Sequence, residues 1–95
     1  MYELRKTKDF EKSLKKIRRS GKLTDKIQDD INLIINLLLK NELLPKKFRD
    51  HQLKGGLNMY RECHIRSGLL LIYEMINNEL VLVLIDIGSH SYIFE

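Results

Sequence analysis

Apolar residues recur at two periods along this chain, and the change from one to the other near residue 55 divides it. Phe10, Leu14 and Ile17 fall at i, i+4 and i+7, one face of a helix, with Lys12, Lys15, Lys16, Arg18 and Arg19 over most of the remaining circumference. Thr7 is placed to cap that helix, and Ser20-Gly21 to end it, since glycine adopts the left-handed conformation a helix end often needs. A second helix is predicted from Thr24 or Asp25 to about Lys40. Its apolar stripe is Ile27, Ile31, Ile34, Ile35 and Leu38, and its exit is marked by Asn41 and Pro45. Leu37 and Leu39 add apolar surface beyond what one neighbour needs. The short Ser20–Thr24 connection makes the two helices an antiparallel hairpin.

Before the first helix, Tyr2-Glu3-Leu4-Arg5 alternates and reads as a short strand. After Gly55-Gly56 the period is two. Met59, Arg61, Cys63 and Ile65 share one face, while Tyr60, Glu62 and His64 share the other. Cys63 and Ile65 suit a core, so Glu62 and His64 are predicted to point away from it. Ser67-Gly68 turns the chain into Leu69–Met75, apolar on both faces and therefore a central strand. Asn77-Asn78 is the predicted hairpin turn before the apolar strand Leu80–Ile87. The fold class is α+β in the order β-α-α-β-β-β: two N-terminal helices packed on a small antiparallel sheet, with residues 1–95 as a single domain.

Composition adds a polarity that the pattern does not show. The net charge is +4, but residues 1–26 hold ten Lys/Arg against four acids and residues 46–66 hold six against two. Residues 67–95 have no Lys or Arg. A basic surface built from the two positive blocks is an electrostatic footprint for a polyanion. One cysteine, Cys63, excludes an internal disulfide and a cysteine-based zinc site, and suits a reducing cytoplasm. No apolar run reaches the ~18 residues that span a bilayer, and the N-terminus has no signal-peptide pattern, so a cytoplasmic protein without membrane contact is expected.

The candidate chemistry lies in Lys47–Ile65, which holds His51 and His64 among cations, and in Gly88–Ser91, which holds His90. Imidazole exchanges protons near neutrality, its unperturbed pKa being roughly 6.5. Taken singly, His51 reads as a loop residue held by the neighbouring carboxylate of Asp50, and His64 as a satisfied strand residue. Three-histidine metal binding has no His-x-His or His-x₃-His spacing behind it.

The runs Phe-Arg-Asp-His-Gln-Leu-Lys-Gly (48–55), Tyr-Arg-Glu-Cys-His-Ile (60–65), Leu-Leu-Ile-Tyr (70–73) and Gly-Ser-His-Ser-Tyr-Ile-Phe (88–94) resemble the YafQ branch of the RelE/ParE superfamily. The resemblance extends over nearly the whole chain. It implies the toxin half of a type II toxin–antitoxin pair, acting as a ribosome-associated mRNA endonuclease on a curved antiparallel sheet backed by two helices. Its active-site histidines fall on His51, His64 and His90, its acidic position on Glu62 and its C-terminal aromatic on Phe94. Where the family has Pro-Asp-Trp after the second histidine, this chain has Ser67-Gly68-Leu69. The implied partners are a cognate antitoxin, mRNA on the ribosome and, only through the antitoxin complex, operator DNA.

The chemistry itself needs no cofactor and no metal. RNA carries its own nucleophile, and a pair of imidazoles can deprotonate a 2′-OH and protonate the leaving 5′-oxygen, each typically contributing ~10²–10⁴-fold. A fixed guanidinium suits the charge that builds on the phosphate, and Arg49 and Arg61 are the candidates, with Lys54 beside them. Arg61 has the opposite strand parity to His64. Phe94 and Tyr60 are candidates to stack on a splayed base. Two alternatives stay open: a catalytically weakened module that binds antitoxin and RNA, and a gyrase-inhibiting toxin of the same superfamily.

Overall fold

The structure is a computed structural model and describes residues 1–91. In order, the elements are β1 (Glu3–Lys6), α1 (Lys8–Arg19), α2 (Asp25–Leu39), β2 (His51–Gln52), β3 (Arg61–Arg66), β4 (Leu69–Ile76) and β5 (Val81–Gly88). Single 3₁₀ turns at Lys46–Phe48 and Gly55–Leu57 flank β2.

Both helices start and stop where their side chains dictate. Thr7 Oγ1 accepts from the Phe10 N–H at 3.0 Å, and the same hydroxyl donates to Ile85 O at 2.7 Å, so the cap also fastens α1 to β5. Asp9 and Glu11 lie in the first turn and Lys16, Arg18 and Arg19 in the last, complementing the helix dipole at both ends. Gly21 takes φ +77° just past the helix end. Thr24 caps α2 through the Ile27 N–H at 3.3 Å. Asn41, at φ 56°, closes it, with the Glu42 N–H returning to Leu37 O at 2.9 Å.

The sheet is five-stranded, in the order β1-β5-β4-β3-β2. Strands β2 to β5 pair antiparallel with their neighbours, as expected, but β1 runs parallel to β5, with Glu3 opposite Val81 and Lys6 opposite Leu84. The sheet is therefore mixed, and it has one strand more than the chain's periodicity announces, because β2 is only two residues long. The α+β class and the helix-on-sheet arrangement hold. On the helix side of the sheet, Cys63, Ile65, Leu71, Tyr73, Leu82, Leu84 and Ile87 pack with Phe10, Ile27, Ile31, Ile34, Leu38 and Phe48. Helix α1 lies on β5 and α2 on β3. Leu37 and Leu39 are half-buried, and the exposed apolar residue of α2 is Leu33. Strand β4 is buried on both faces, Leu70 and Ile72 included, which fits its central place.

The β4–β5 turn differs from expectation. Its left-handed residue is Leu80 (φ 55°), not Asn77 or Asn78. The turn serves as the docking point for the N-terminus: Tyr2 Oη donates to Asn77 Oδ1 at 2.5 Å, and the Glu3 N–H donates to Leu80 O at 2.8 Å. Those tertiary bonds, absent from any local propensity, select the turn geometry.

Candidate active site

Register brings the catalytic candidates together. His51 on β2 stands opposite Glu62 on β3, and partners directly opposite in an antiparallel pair project to the same face. Along β3, Glu62 and His64 share that face, while Cys63 and Ile65 turn into the core. Three side chains from two strands thus converge on the face away from the helices. Glu62 Oε1 lies 3.2 Å from His64 Nε2 and 3.7 Å from His51 Nε2, and the two ring centroids are 6.1 Å apart. Glu62 is only 5% exposed, which is low for a carboxylate, whereas the His51 side chain is half exposed. His51 Nδ1 sits 2.8 Å from Arg49 O. A carbonyl only accepts, so Nδ1 carries the proton, and in the neutral ring the lone pair is on Nε2, toward Glu62.

What orients His51 is a second cluster on the other side of the chain. Asp50, between Arg49 and His51, receives the buried Tyr73 hydroxyl on Oδ1 and Arg61 Nη2 on Oδ2, the latter at 2.9 Å. Arg49 takes a left-handed φ of 49° at the entry into β2, where alternation puts Asp50 and His51 on opposite sides. The β2–β3 connection is closed by the Leu53 N–H on Tyr60 O (3.0 Å), the Tyr60 N–H on Leu57 O (2.9 Å) and Gln52 Nε2 on Asn58 O (2.6 Å). The hydrogen bond to Asp50 raises the Arg61 guanidinium pKa, so Arg61 holds its charge. Burial, and then the bond to Asp50, pushes the Tyr73 phenol well up. Burial drives the Cys63 thiol up to about 12, with the charges of Asp50 and Glu62 adding to it.

Arg61 accordingly faces away from the histidines, bonded to Asp50, and Arg49 is exposed beside His51. Lys54 is exposed and Tyr60 half-buried, both in the β2–β3 connection. His90 lies outside the convergent set, exposed two residues past β5. The register His64–Leu70–Gly88 puts the end of β5 two strands, roughly 10 Å, from His64. Phe94 lies outside the described residues.

Sequence reasoning overlooked the joint role of Asp50 and Tyr73. The available signal was the phenol itself: a tyrosine at the centre of an apolar strand needs a polar partner. Chain spacing also hid the donor set of His51, Glu62 and His64, whose ligating atoms lie within 4.8 Å of one another across two strands. Apart from this site, a cleft of about 430 Å³ runs between α1 and the β3–β4 turn, lined by Lys16, Lys22, Arg66 and Ser67 among others.

Comparison with known proteins gives the family and the fold. Residues 2–95 match the family model described as the bacterial toxin of a type II toxin–antitoxin system, YafQ. The chain belongs to the YafQ toxin family. The mRNA interferase toxin YafQ of Escherichia coli is 32% identical over 77 residues, 77% of this chain and 82% of that protein. The structure of the E. coli DinJ–YafQ complex matches over the whole of both chains with a TM-score of 0.85 at 23% identity, a likeness of fold. The putative toxin YafQ of Haemophilus influenzae is 43% identical over 42 residues, 44% of this chain and 41% of its own length. A metal-bound toxin from Helicobacter pylori superposes with a TM-score of 0.88 at 36% identity, covering 99% of this chain and all of that one. By its family the chain is the toxin of a type II toxin–antitoxin system.

Proposed function

We propose that this toxin cleaves mRNA on the ribosome by acid–base catalysis at His51 and His64, with Glu62 between them. The observation that carries the reading is the pair of imidazoles flanking one buried carboxylate, with the His51 lone pair turned toward it. One ring, neutral, removes the proton of a ribose 2′-OH as that oxygen attacks the adjacent phosphorus. The other, protonated, delivers its proton to the departing 5′-oxygen. The products are a 2′,3′-cyclic phosphate and a free 5′-hydroxyl, and the two rings exchange protonation states. Arg49, exposed beside His51, is the cation nearest in sequence for the charge on the non-bridging oxygens. His90, two residues past β5, and Phe94 complete the set that the family resemblance implies.

Basic ground outside the site suits the rest of a single-stranded RNA. Lys12, Lys15, Lys16, Arg18 and Arg19 of α1 are exposed, and the cleft between α1 and the β3–β4 turn adds Lys22 and Arg66. The antitoxin neutralises the toxin by covering this ground with an acidic segment that orders on binding. The test is cleavage of mRNA on translating ribosomes by the wild-type chain and by His64→Ala. Equal cleavage by the two would overturn the reading. Loss in the variant, with the fold retained, supports it.

A further inference from the structure

We infer that the cleft between α1 and the β3–β4 turn holds one unpaired nucleotide of the RNA, its base against Ile17, Ile27 and Leu69 and its phosphate on Arg66 and Lys22. The inference rests on the RNA substrate proposed above and gives that substrate a second foothold, on the helix side of the sheet. The cleft has a volume of about 430 Å³, within the roughly 300–1,000 Å³ of small-ligand clefts. Of its lining, Ile27 is buried and Ile17 and Leu69 are half-buried, which makes an apolar floor. Lys22, Arg66 and Ser67 are exposed and form the rim.

The rim carries positive charge on two sides. Lys22 follows α1, while Arg66 ends β3 and is the last Lys or Arg of the chain. A guanidinium fits two phosphate oxygens at once, and an ammonium adds a point charge. One carboxylate reaches the lining, that of Asp86, which accepts the Ser13 hydroxyl at 2.6 Å and the Ile87 N–H at 2.8 Å. Its charge is therefore committed to the junction of α1 and β5.

The floor alone would take any apolar group. Cations on both walls call for an anion attached to that group, and the Ser67 hydroxyl can donate or accept along a polar edge. An unstacked base of single-stranded RNA combines a flat apolar face, a polar edge and a phosphate. Position along the chain adds continuity with the histidines. Arg66 lies two residues past His64, roughly 7 Å along β3. The register shift between the two breaks the alternation that would put both on one face. An RNA strand held at His64 thus meets Arg66 where it rounds the end of the sheet. Gly68 and Leu69 are smaller than the family's Asp and Trp at these positions, and a Cβ on Gly68 would meet nothing within 4 Å, so the entrance is open.

The experiment titrates the isotope-labelled full-length His64→Ala chain with a short single-stranded RNA that cannot pair with itself. Binding is followed by nuclear magnetic resonance, and the RNA is checked intact afterwards. Nuclear Overhauser contacts should join the base protons of one nucleotide to the methyl groups of Ile17, Ile27 and Leu69. Making that nucleotide abasic should weaken binding at least about fivefold, the lower end of what one held base contributes. Arg66→Gln should weaken it about tenfold, and Arg19→Gln, on α1 outside the cleft, about threefold or less. Adenosine monophosphate and the acidic peptide Asp-Glu-Phe-Asp-Glu are titrated in parallel, and each should bind at least tenfold more weakly than the RNA. Bound RNA without contacts to those methyl groups, or abasic RNA that binds as well as intact RNA at every position, overturns the cleft. Cleft contacts made as tightly by the monophosphate, or by the peptide, overturn the assignment to RNA in favour of a free nucleotide or a protein. Equal cleavage on ribosomes by the wild type and His64→Ala would overturn the proposed function, while the contacts to the three methyl groups still decide the cleft.

Discussion

Asp50 Oδ2 lies 2.9 Å from Arg61 Nη2, and this pair, with the Tyr73 hydroxyl on the other carboxylate oxygen, holds the chain in the turn from which His51 projects. The carboxylate ties three segments, the turn after Phe48, β3 and β4, at the one place where β2 is too short to fix itself. Asp50→Ala leaves a buried phenol and a guanidinium without their acceptor. The expected cost is about 1–3 kcal/mol in urea denaturation. Cleavage should fall by more than the loss of folded protein explains, because His51 loses its orientation. Tyr73→Phe removes one donor only and should cost about 1 kcal/mol, with Arg61 still on Asp50. An Asp50→Ala protein with wild-type cleavage would show that His51 needs no such anchor.

The histidines themselves should rank. His51→Ala and His64→Ala each remove one member of the facing pair, so each should lower the cleavage rate by roughly 10²–10⁴-fold. The double variant should be scarcely worse than the worse single, as groups that act as a unit are not additive. His90→Ala, outside the convergent set, should lose less. Single-turnover cleavage on ribosomes, with circular dichroism to confirm the fold, reads the order. A His90→Ala defect larger than that of His64→Ala would place the acid–base pair elsewhere.

Much of this arrangement was legible along the chain, and the reasons it stopped short are local. Thr7, Thr24 and Gly21 mark helix ends because capping depends on a side chain and its nearest backbone groups. Strand β4 declares its central place by being apolar on both faces, and the alternation in β3 sorts Glu62 and His64 from Cys63 and Ile65. The parallel seat of β1 beside β5 leaves no such mark, since an alternating tetrapeptide does not name its partner. Two residues of β2 are too few to show a period. Asp50 looked like a partner for its neighbour His51, but belongs to Arg61 and Tyr73, 11 and 23 residues away in sequence. The left-handed Arg49 sets the entry into β2, where alternation puts Asp50 and His51 on opposite sides, and a positive φ at arginine has no sequence signature.

The Gly68 position separates turn from catalysis. Gly68 takes φ +82° between β3 and β4, next to the register shift at His64–Arg66, and a Cβ added there meets nothing within 4 Å. An aspartate at this position, as in the family, therefore meets no clash and costs only the conformational preference. Gly68→Asp should lower stability by about 1 kcal/mol. If a carboxylate there helps to orient His64, cleavage should rise by one to two orders of magnitude on the general acid–base scale. Unchanged cleavage with lowered stability would mean that Gly68 serves the turn alone and that Glu62 supplies the acidic function.

Alkaline pH should weaken the fold through two buried groups. The Cys63 thiol rises from its ordinary 9.0 to about 12 and the Tyr73 phenol rises well above its ordinary 10.0, both chiefly by burial. Folded-state values above the unfolded ones mean that their contribution is fully present below pH ~9 and is lost as pH climbs toward the folded values. Between those limits the unfolded chain releases protons that the folded chain keeps, so each group lowers stability by up to about 1.4 kcal/mol per pH unit. Lysines and other tyrosines also titrate in this range, so the comparison is with Cys63→Ala and Tyr73→Phe. Each variant should start less stable at pH 8 yet lose less between pH 8 and pH 10.5 than the wild type, read from urea midpoints at both values. The thiol should also resist alkylation in the folded chain at pH 8, where a surface cysteine reacts readily. A wild-type slope no steeper than that of either variant would mean that neither group is held protonated by the core.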